Sequence, residues 1–91
     1  MQVHSFLHSD TETYTHVLAD VQHQVCAIID PVLDFDAKSG RTDAASVDKV
    51  IAFVREQGWA LVYIIETHAH ADHISAAIHV KETLGGKLVI G

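Results

Sequence analysis

The chain has 91 residues, of which 48% are hydrophobic and 20% charged, and it contains a single proline. This composition excludes intrinsic disorder, and the length allows one compact domain at most. The net charge of −6 opposes non-specific attraction to nucleic acid or to an anionic membrane surface, so we expect neither as a partner.

The cysteine content and the amino terminus indicate the compartment. Cys26 is the only cysteine and cannot form an internal disulfide, and it lies in an apolar run where a buried, inert thiol is expected. Residues 1–5 lack the basic and apolar blocks of a signal peptide, and no apolar run approaches the ~20 residues of a membrane span. The sequence therefore predicts a cytoplasmic protein.

The first thirty residues carry strand-like segments separated by polar stretches. Strands are predicted over residues 3–7, 13–19 and 25–29, arranged as an antiparallel meander. The third strand ends at Asp30, because the following Pro31 donates no ladder hydrogen bond. Residues 32–42 are expected to form a polar loop.

A helix and a buried strand follow. Apolar residues spaced i, i+3, i+4 and i+7 predict a helix that is capped by Asp43 or Thr42 and runs to about residue 57, before Gly58. The unbroken apolar run 61–65 is too short for a helix and suits a strand buried on both faces, as in a parallel sheet.

A second helix and a last strand complete the order. The helix is expected from about residue 72 to 84, where the Gly85-Gly86 pair ends it, and residues 87–90 begin another strand. Its inward side chains are expected to be Ile74, Ala77, Ile78 and Leu84. The last three strands should pair in parallel. Since the chain ends directly after a new apolar strand, we expect an incomplete domain.

The pattern His-x-His-x-Asp-His follows the buried strand, at the edge where α/β sheets usually place their sites. In an extended backbone, residues two apart point to the same side, so His68 and His70 can offer two imidazoles to one cation. Asp72 and His73 open the helix, where adjacent side chains diverge by roughly 100° and can address a second position. The spacing predicts two neighbouring metal positions with ligands that suit Zn, Fe or Mn.

A simpler interpretation is that these histidines lie at the surface and that Asp72 only complements the helix dipole. Four potential ligands within six residues disfavour it. The motif nevertheless supplies only two ligands to each position, whereas a tetrahedral or facial-triad site needs at least three. Further ligands must come from elsewhere.

The other titratable groups have less specific interpretations. His79 lies about 240° round the helix from His73 and should face away from the motif. Asp30 either orients the turn at its strand end or supports the metals from beneath, and Glu66 is expected at the surface. The remaining histidines are expected to be solvated: His4, His8, His16 and His23.

At this motif the sequence resembles the metallo-β-lactamase superfamily, whose sandwich of two sheets between helices carries a His-x-His-x-Asp-His signature after a central strand. Residues 28–31 are similar to the family's strand end before its first helix, and residues 85–87 to its turn after the metal-motif helix. The resemblance implies an α/β fold, more closely an α+β sandwich. Residues 1–91 would form its incomplete amino-terminal half, in the order β-β-β-α-β-α-β.

Two segments resemble the persulfide dioxygenase branch in particular: residues 30–42 and residues 66–77. In the thioester-hydrolysing branch, which includes glyoxalase II, glycines commonly follow the Asp-His pair, where this chain has Ser75-Ala76. The resemblance therefore favours a dioxygenase over a hydrolase.

The resemblance assigns His68 and His70 to a first metal position and Asp72 and His73 to a second, with Asp72 as the candidate catalytic residue. In the dioxygenase branch a single ferrous iron is held by two histidines and one carboxylate, a set to which this segment would contribute His68. The implied cofactor is Fe(II) or Zn(II), as one or two ions. The implied substrate is a small thiol persulfide or thioester.

Three functions stay open. The first is conversion of glutathione persulfide and oxygen to sulfite, the second is zinc-dependent hydrolysis of a thioester, lactone or lactam, and the third is a non-catalytic metal-binding or assembly fragment. Half a sandwich leaves a sheet edge and an apolar face uncovered. The isolated chain is therefore expected to lack turnover, and to self-associate or to pair with a missing carboxy-terminal half.

Overall fold

The computed structural model describes residues 1–8, 13–32, 34–36, 41–43, 45–67 and 71–90. Within these ranges the chain forms seven strands and two helices. In chain order they are β1 (Gln2–His8), β2 (Thr13–Asp20), β3 (Val25–Ile29), β4 (Asp34–Asp36), β5 (Arg41–Asp43), α1 (Ala45–Gln57), β6 (Ala60–Glu66), α2 (Ala71–Leu84) and β7 (Lys87–Ile90).

Five of these strands form one mixed sheet in the order β1-β2-β3-β6-β7. The first three pair antiparallel, and β6 pairs in parallel with β3 on one side and with β7 on the other. The predicted meander, the predicted parallel pairing and the order β-β-β-α-β-α-β of this sheet and its helices are confirmed. The carboxyl ends of three parallel strands therefore meet at one edge of the sheet.

The predicted loop over residues 32–42 is wrong in part. Strands β4 and β5 pair antiparallel there, with Phe35 opposite Thr42, and form a separate two-stranded ribbon. Each strand has only three residues, too few for an alternating pattern to be read from the sequence.

Helix α1 packs on the sheet with the side chains that its spacing predicted. Its buried residues are Val47, Val50, Ile51 and Val54. The helix ends where Gly58 adopts a left-handed backbone with φ of 74° and donates its N–H to the carbonyl of Arg55 at 3.1 Å. No helix among the described residues is long and apolar enough to cross a membrane.

The prediction for the inward face of α2 is confirmed at Ala77 and at Leu84, which is half-buried against the core, and it is wrong at Ile78. The side chain of Ile74 lies outside the described residues. Ala76, Ala77 and Val80 are fully buried, whereas Ile78 is 46% exposed. Ile78 is one residue from Ala77 and therefore about 100° away round the helix, outside the buried stripe. The chain then turns closely over the sheet, since a Cβ on Gly86 would lie 3.2 Å from Leu61 Cγ.

Strand β6 is buried on one face only, so the prediction of burial on both faces is wrong. Ile64 is fully buried beneath the helices, while Tyr63 is 45% exposed on the opposite face. The register places Tyr63 in one row with Ala27, Leu18 and Val3, across four strands of the sheet. Among the described residues both helices pack on the other face, which leaves this row without a covering layer.

Candidate metal-binding turn

The motif lies where β6 leaves the sheet and α2 begins. Strand β6 ends at Glu66 and α2 begins at Ala71, so Asp72 and His73 lie in the first turn of α2. His68 and His70 lie outside the described residues, as do the side chains of Asp72 and His73. A strand thus precedes the motif and a helix begins within it, as the sequence predicted.

A pair of hydrogen bonds holds the chain immediately before His68. The side chain of Asp30 accepts the backbone N–H of Thr67 on Oδ1 at 2.7 Å and the hydroxyl of Thr67 on Oδ2 at 2.6 Å. A carboxylate that accepts two donors forms strong, charge-assisted bonds. The carboxyl end of β3 is therefore fixed to the carboxyl end of β6, one residue before the first predicted ligand.

The backbone of Asp30 is held as firmly as its side chain. Its N–H donates to the carbonyl of Ile65 at 2.8 Å, and its own carbonyl accepts the hydroxyl of Thr15 at 2.8 Å. Asp30 adopts a left-handed conformation with φ of 55°, which Asp tolerates better than most side chains. Asp30 thus holds Thr67, the residue that directly precedes the first predicted ligand in the sequence.

The prediction that Glu66 lies at the surface is wrong. The Glu66 side chain is fully buried. Burial raises the pKa of Glu66 to about 8, and a hydrogen bond with Asp30 and the charge of Asp30 act in the same direction. The structure therefore places a second carboxyl, whose raised pKa favours the protonated form, beside Asp30 at the carboxyl end of β6. The alternation of β6, in which Ile64 and Glu66 share one face, is the sequence signal that indicates this burial.

The donor set of the turn fits a zinc or iron ion by its chemistry. Three imidazoles and one carboxylate are borderline and hard ligands of the kind that both metals accept. Elsewhere in the described part of the chain, no three His, Cys, Asp or Glu side chains come together to hold a metal.

The other histidines have local roles. His79 Nε2 lies 2.8 Å from Asp48 Oδ1 on α1, so His79 faces α1. His23 is exposed and pairs with Asp20, as expected for a solvated side chain. His4 differs from that expectation, since it is half-buried and its ring packs 4.7 Å from the ring of Phe53.

His16 is likewise half-buried rather than fully solvated, with Nδ1 2.9 Å from the hydroxyl of Ser5 on the neighbouring strand. His8 lies at the end of β1, and its side chain is outside the described residues.

Comparison with known proteins gives consistent matches over nearly the whole chain. The family described as the metallo-beta-lactamase superfamily matches residues 12–91. A protein of Burkholderia pseudomallei named a probable metallo-hydrolase is 46% identical over 91 residues, which are 100% of this chain and 31% of that protein. The mitochondrial persulfide dioxygenase ETHE1 of Bos taurus is 35% identical over 74 residues, 81% of this chain and 25% of that protein.

The fold matches as well. The crystal structure of ETHE1 from Myxococcus xanthus superimposes with a TM-score of 0.75 at 28% identity, covering 97% of this chain and 34% of that chain. The chain therefore spans about a third or less of the length of the proteins it matches.

Proposed function

The chain belongs to the metallo-beta-lactamase superfamily, and from this membership we propose that it forms the first metal-ligand segment of a persulfide dioxygenase-like enzyme. Such an enzyme oxidises the terminal sulfur of glutathione persulfide with dioxygen and water, which breaks the S–S bond and gives sulfite, glutathione and two protons. The observation that carries the proposal is the pair of hydrogen bonds from Thr67 to Asp30, because it fixes the residue directly before the segment that contains the four donors. The similarity to two ETHE1 proteins supports the substrate class.

We assign the donors as the motif implies. His68 and His70 would bind at the first metal position, and Asp72 and His73 at the second. A bound ferrous ion would supply redox chemistry, and a bound zinc ion would supply Lewis acidity. In the proposed site Asp72 is both a ligand and the candidate catalytic residue.

The residues beneath the turn have supporting roles in this proposal. Asp30 holds the backbone of Thr67 and so limits the directions in which the following residues can leave the strand. Glu66 is a buried carboxyl at the end of β6, two residues before His68 in the sequence. Both are positioning residues, since neither belongs to the proposed donor set.

A zinc-dependent hydrolase is the second candidate. It is favoured by the 46% identity to a protein named a probable metallo-hydrolase. The same donors would then activate water for attack on a thioester or lactone carbonyl. The two candidates differ in the metal retained and in the bond broken, and both can be measured.

We further propose that the 91-residue chain by itself binds metal weakly and does not turn over substrate, because the motif offers two ligands per position. It then behaves as a metal-binding or assembly fragment that self-associates or awaits further ligands from other chain segments. Cys26 is a free, buried thiol, which fits the reducing conditions of the proposed cytoplasmic location.

The test replaces the matching 74 residues of the Bos taurus persulfide dioxygenase with the aligned segment of this chain. The chimaera is loaded with Fe(II) without oxygen, and oxygen uptake with glutathione persulfide and sulfite release are then measured. A parallel sample is loaded with Zn(II) and offered a glutathione thioester. The isolated chain is assayed alongside.

We expect iron-dependent oxygen uptake by the chimaera, loss of that uptake in its His68→Ala variant, and no turnover by the isolated chain. A folded, zinc-loaded chimaera that cleaves the thioester and ignores the persulfide would favour the hydrolase instead. Turnover by the isolated chain would show that the ligand count is wrong.

A further inference from the structure

Helix α2 is joined to α1 by polar contacts that lie away from the motif. His79 Nε2 lies 2.8 Å from Asp48 Oδ1, and the two residues are 31 positions apart in the sequence. One turn further along α2, the carbonyl of Thr83 accepts a hydrogen bond from Arg55 Nη2 at 3.5 Å. Both contacts lie on the same side of α2, because residues four apart share a helix face.

These contacts matter more for the orientation of α2 than similar contacts would for α1, because the buried side chains of α2 are smaller. Helix α2 buries two alanines and one valine among its described side chains, and its Leu84 is half-buried against the core, whereas α1 buries three valines and an isoleucine. Small side chains interlock less with the sheet than branched ones, so they resist rotation and sliding of a helix less. A polar contact to a neighbouring helix then adds to what holds the orientation of α2.

The orientation of α2 matters because its first turn carries Asp72 and His73. His79 is six residues from His73, about 9 Å along the helix axis, and a rigid helix passes a rotation at one end to the other. We propose that Asp48 is a positioning residue that acts through His79 to set the rotation of α2 and hence the aim of Asp72 and His73. This inference rests on the proposed metal site.

The chain offers a matched control for this pair. On the turn between β2 and β3, His23 Nδ1 lies 2.7 Å from Asp20 Oδ2 in a second exposed His-Asp pair that does not touch α2. Asp48→Ala therefore removes the carboxylate partner of His79, and Asp20→Ala removes the carboxylate partner of His23. Asp48→Asn is the conservative variant, because its amide oxygen can still accept a hydrogen bond from His79.

The experiment titrates the metal-free chain with Zn²⁺ by calorimetry. Loss of a partner that orients a ligand directly typically weakens metal binding about 10- to 100-fold, so a contact one layer further out should weaken it about three- to tenfold. In Asp48→Ala we expect this weakening in the dissociation constant of the weaker of the two Zn²⁺ binding steps. The dissociation constant of the tighter step should change by less than about twofold. Asp20→Ala should match the wild type, and Asp48→Asn should bind within about twofold of it.

A second readout needs no metal. In amide NMR spectra of the metal-free chain, Asp48→Ala should shift the resonances of residues 71–75, while those of β1 to β3 stay in place and Asp20→Ala leaves residues 71–75 unmoved. Unmoved resonances in Asp48→Ala, or equal weakening of both Zn²⁺ steps, would overturn the inference. If the wild type binds no Zn²⁺, the proposed function fails, and the amide shifts alone decide the inference.

Discussion

The carboxylate of Asp30 accepts both donors of Thr67, a residue 37 positions later in the chain. The contact connects the carboxyl ends of two neighbouring parallel strands, β3 and β6. His68, the first of the proposed metal ligands, follows Thr67 directly in the sequence.

Removing the hydroxyl of Thr67 should destabilise the fold. A hydrogen bond to a charged group contributes about 1.5–3 kcal/mol, so Thr67→Val is expected to lower the free energy of unfolding by about that amount. The matched control is Thr83→Val, whose hydroxyl donates to the carbonyl of His79 on the exposed side of α2. That variant should change stability by less than about 0.5 kcal/mol. Urea unfolding measures both, and equal losses would contradict a special role for Thr67.

Glu66 should make the stability of the metal-free chain depend on pH. Its pKa is raised from 4.5 to about 8 in the folded chain. The fold therefore favours the protonated carboxyl, and the resulting stabilisation is complete below pH 4.5 and is lost as the pH rises through 8. Each unit of pKa difference corresponds to about 1.4 kcal/mol, so the loss is on the order of a few kcal/mol.

Glu66→Gln tests this dependence, because glutamine has the shape of the protonated acid but does not ionise. We expect the free energy of unfolding of the variant to vary less between pH 5 and pH 8.5 than that of the wild type, with the two proteins closest at the acidic end. Unfolding is followed in urea with a chelator present. Parallel curves for the two proteins would refute the assignment of the slope to Glu66.

Two adjacent residues on β6 should respond very differently to truncation. Ile64 is fully buried, and Ile64→Ala should cost about 2–5 kcal/mol of stability. Tyr63 is 45% exposed on the other face, and Tyr63→Ala should cost about 1 kcal/mol or less. Denaturant midpoints give both values. A loss for Tyr63→Ala as large as that for Ile64→Ala would mean that the outward face is covered.

Cys26 should be chemically inert in the folded chain. The thiol is 4% exposed, and burial raises its pKa to about 11. We expect labelling by a thiol reagent at pH 8 to be at least about 100-fold slower in the native chain than in concentrated urea, because the thiolate is scarce and covered. Free glutathione serves as the reference for reagent activity. Rapid stoichiometric labelling of the native chain would contradict the burial.

Much of the fold could be predicted from the sequence because its signals are local. The spacing of the buried residues of α1 identifies the helix and its inward face, and Gly58 marks its end. The apolar run of β6 identifies a central strand. Its exposed face could not be predicted, since exposure depends on which layers cover the sheet.

Of the candidate site, only the donor residues could be predicted from the sequence. His68, His70, Asp72 and His73 are close in the sequence, so their spacing carries the signal. The support beneath them depends on Asp30, which reaches the turn only through the pairing of β3 with β6. The burial of Glu66 depends on which face of β6 the helices cover, the face that it shares with Ile64. A carboxylate beside a histidine motif is typical of a surface, and only the alternation along β6 indicates otherwise.

The most direct test of the central claim is a Zn²⁺ titration of three forms of the metal-free chain: the wild type, the double variant His68→Ala/His70→Ala and the double variant His16→Ala/His23→Ala. Each double variant removes two of the eight histidines. We predict that binding is lost or greatly weakened in the first double variant and retained in the second. Binding that survives unchanged in the first variant, or falls equally in both, would contradict a metal site at the turn between β6 and α2.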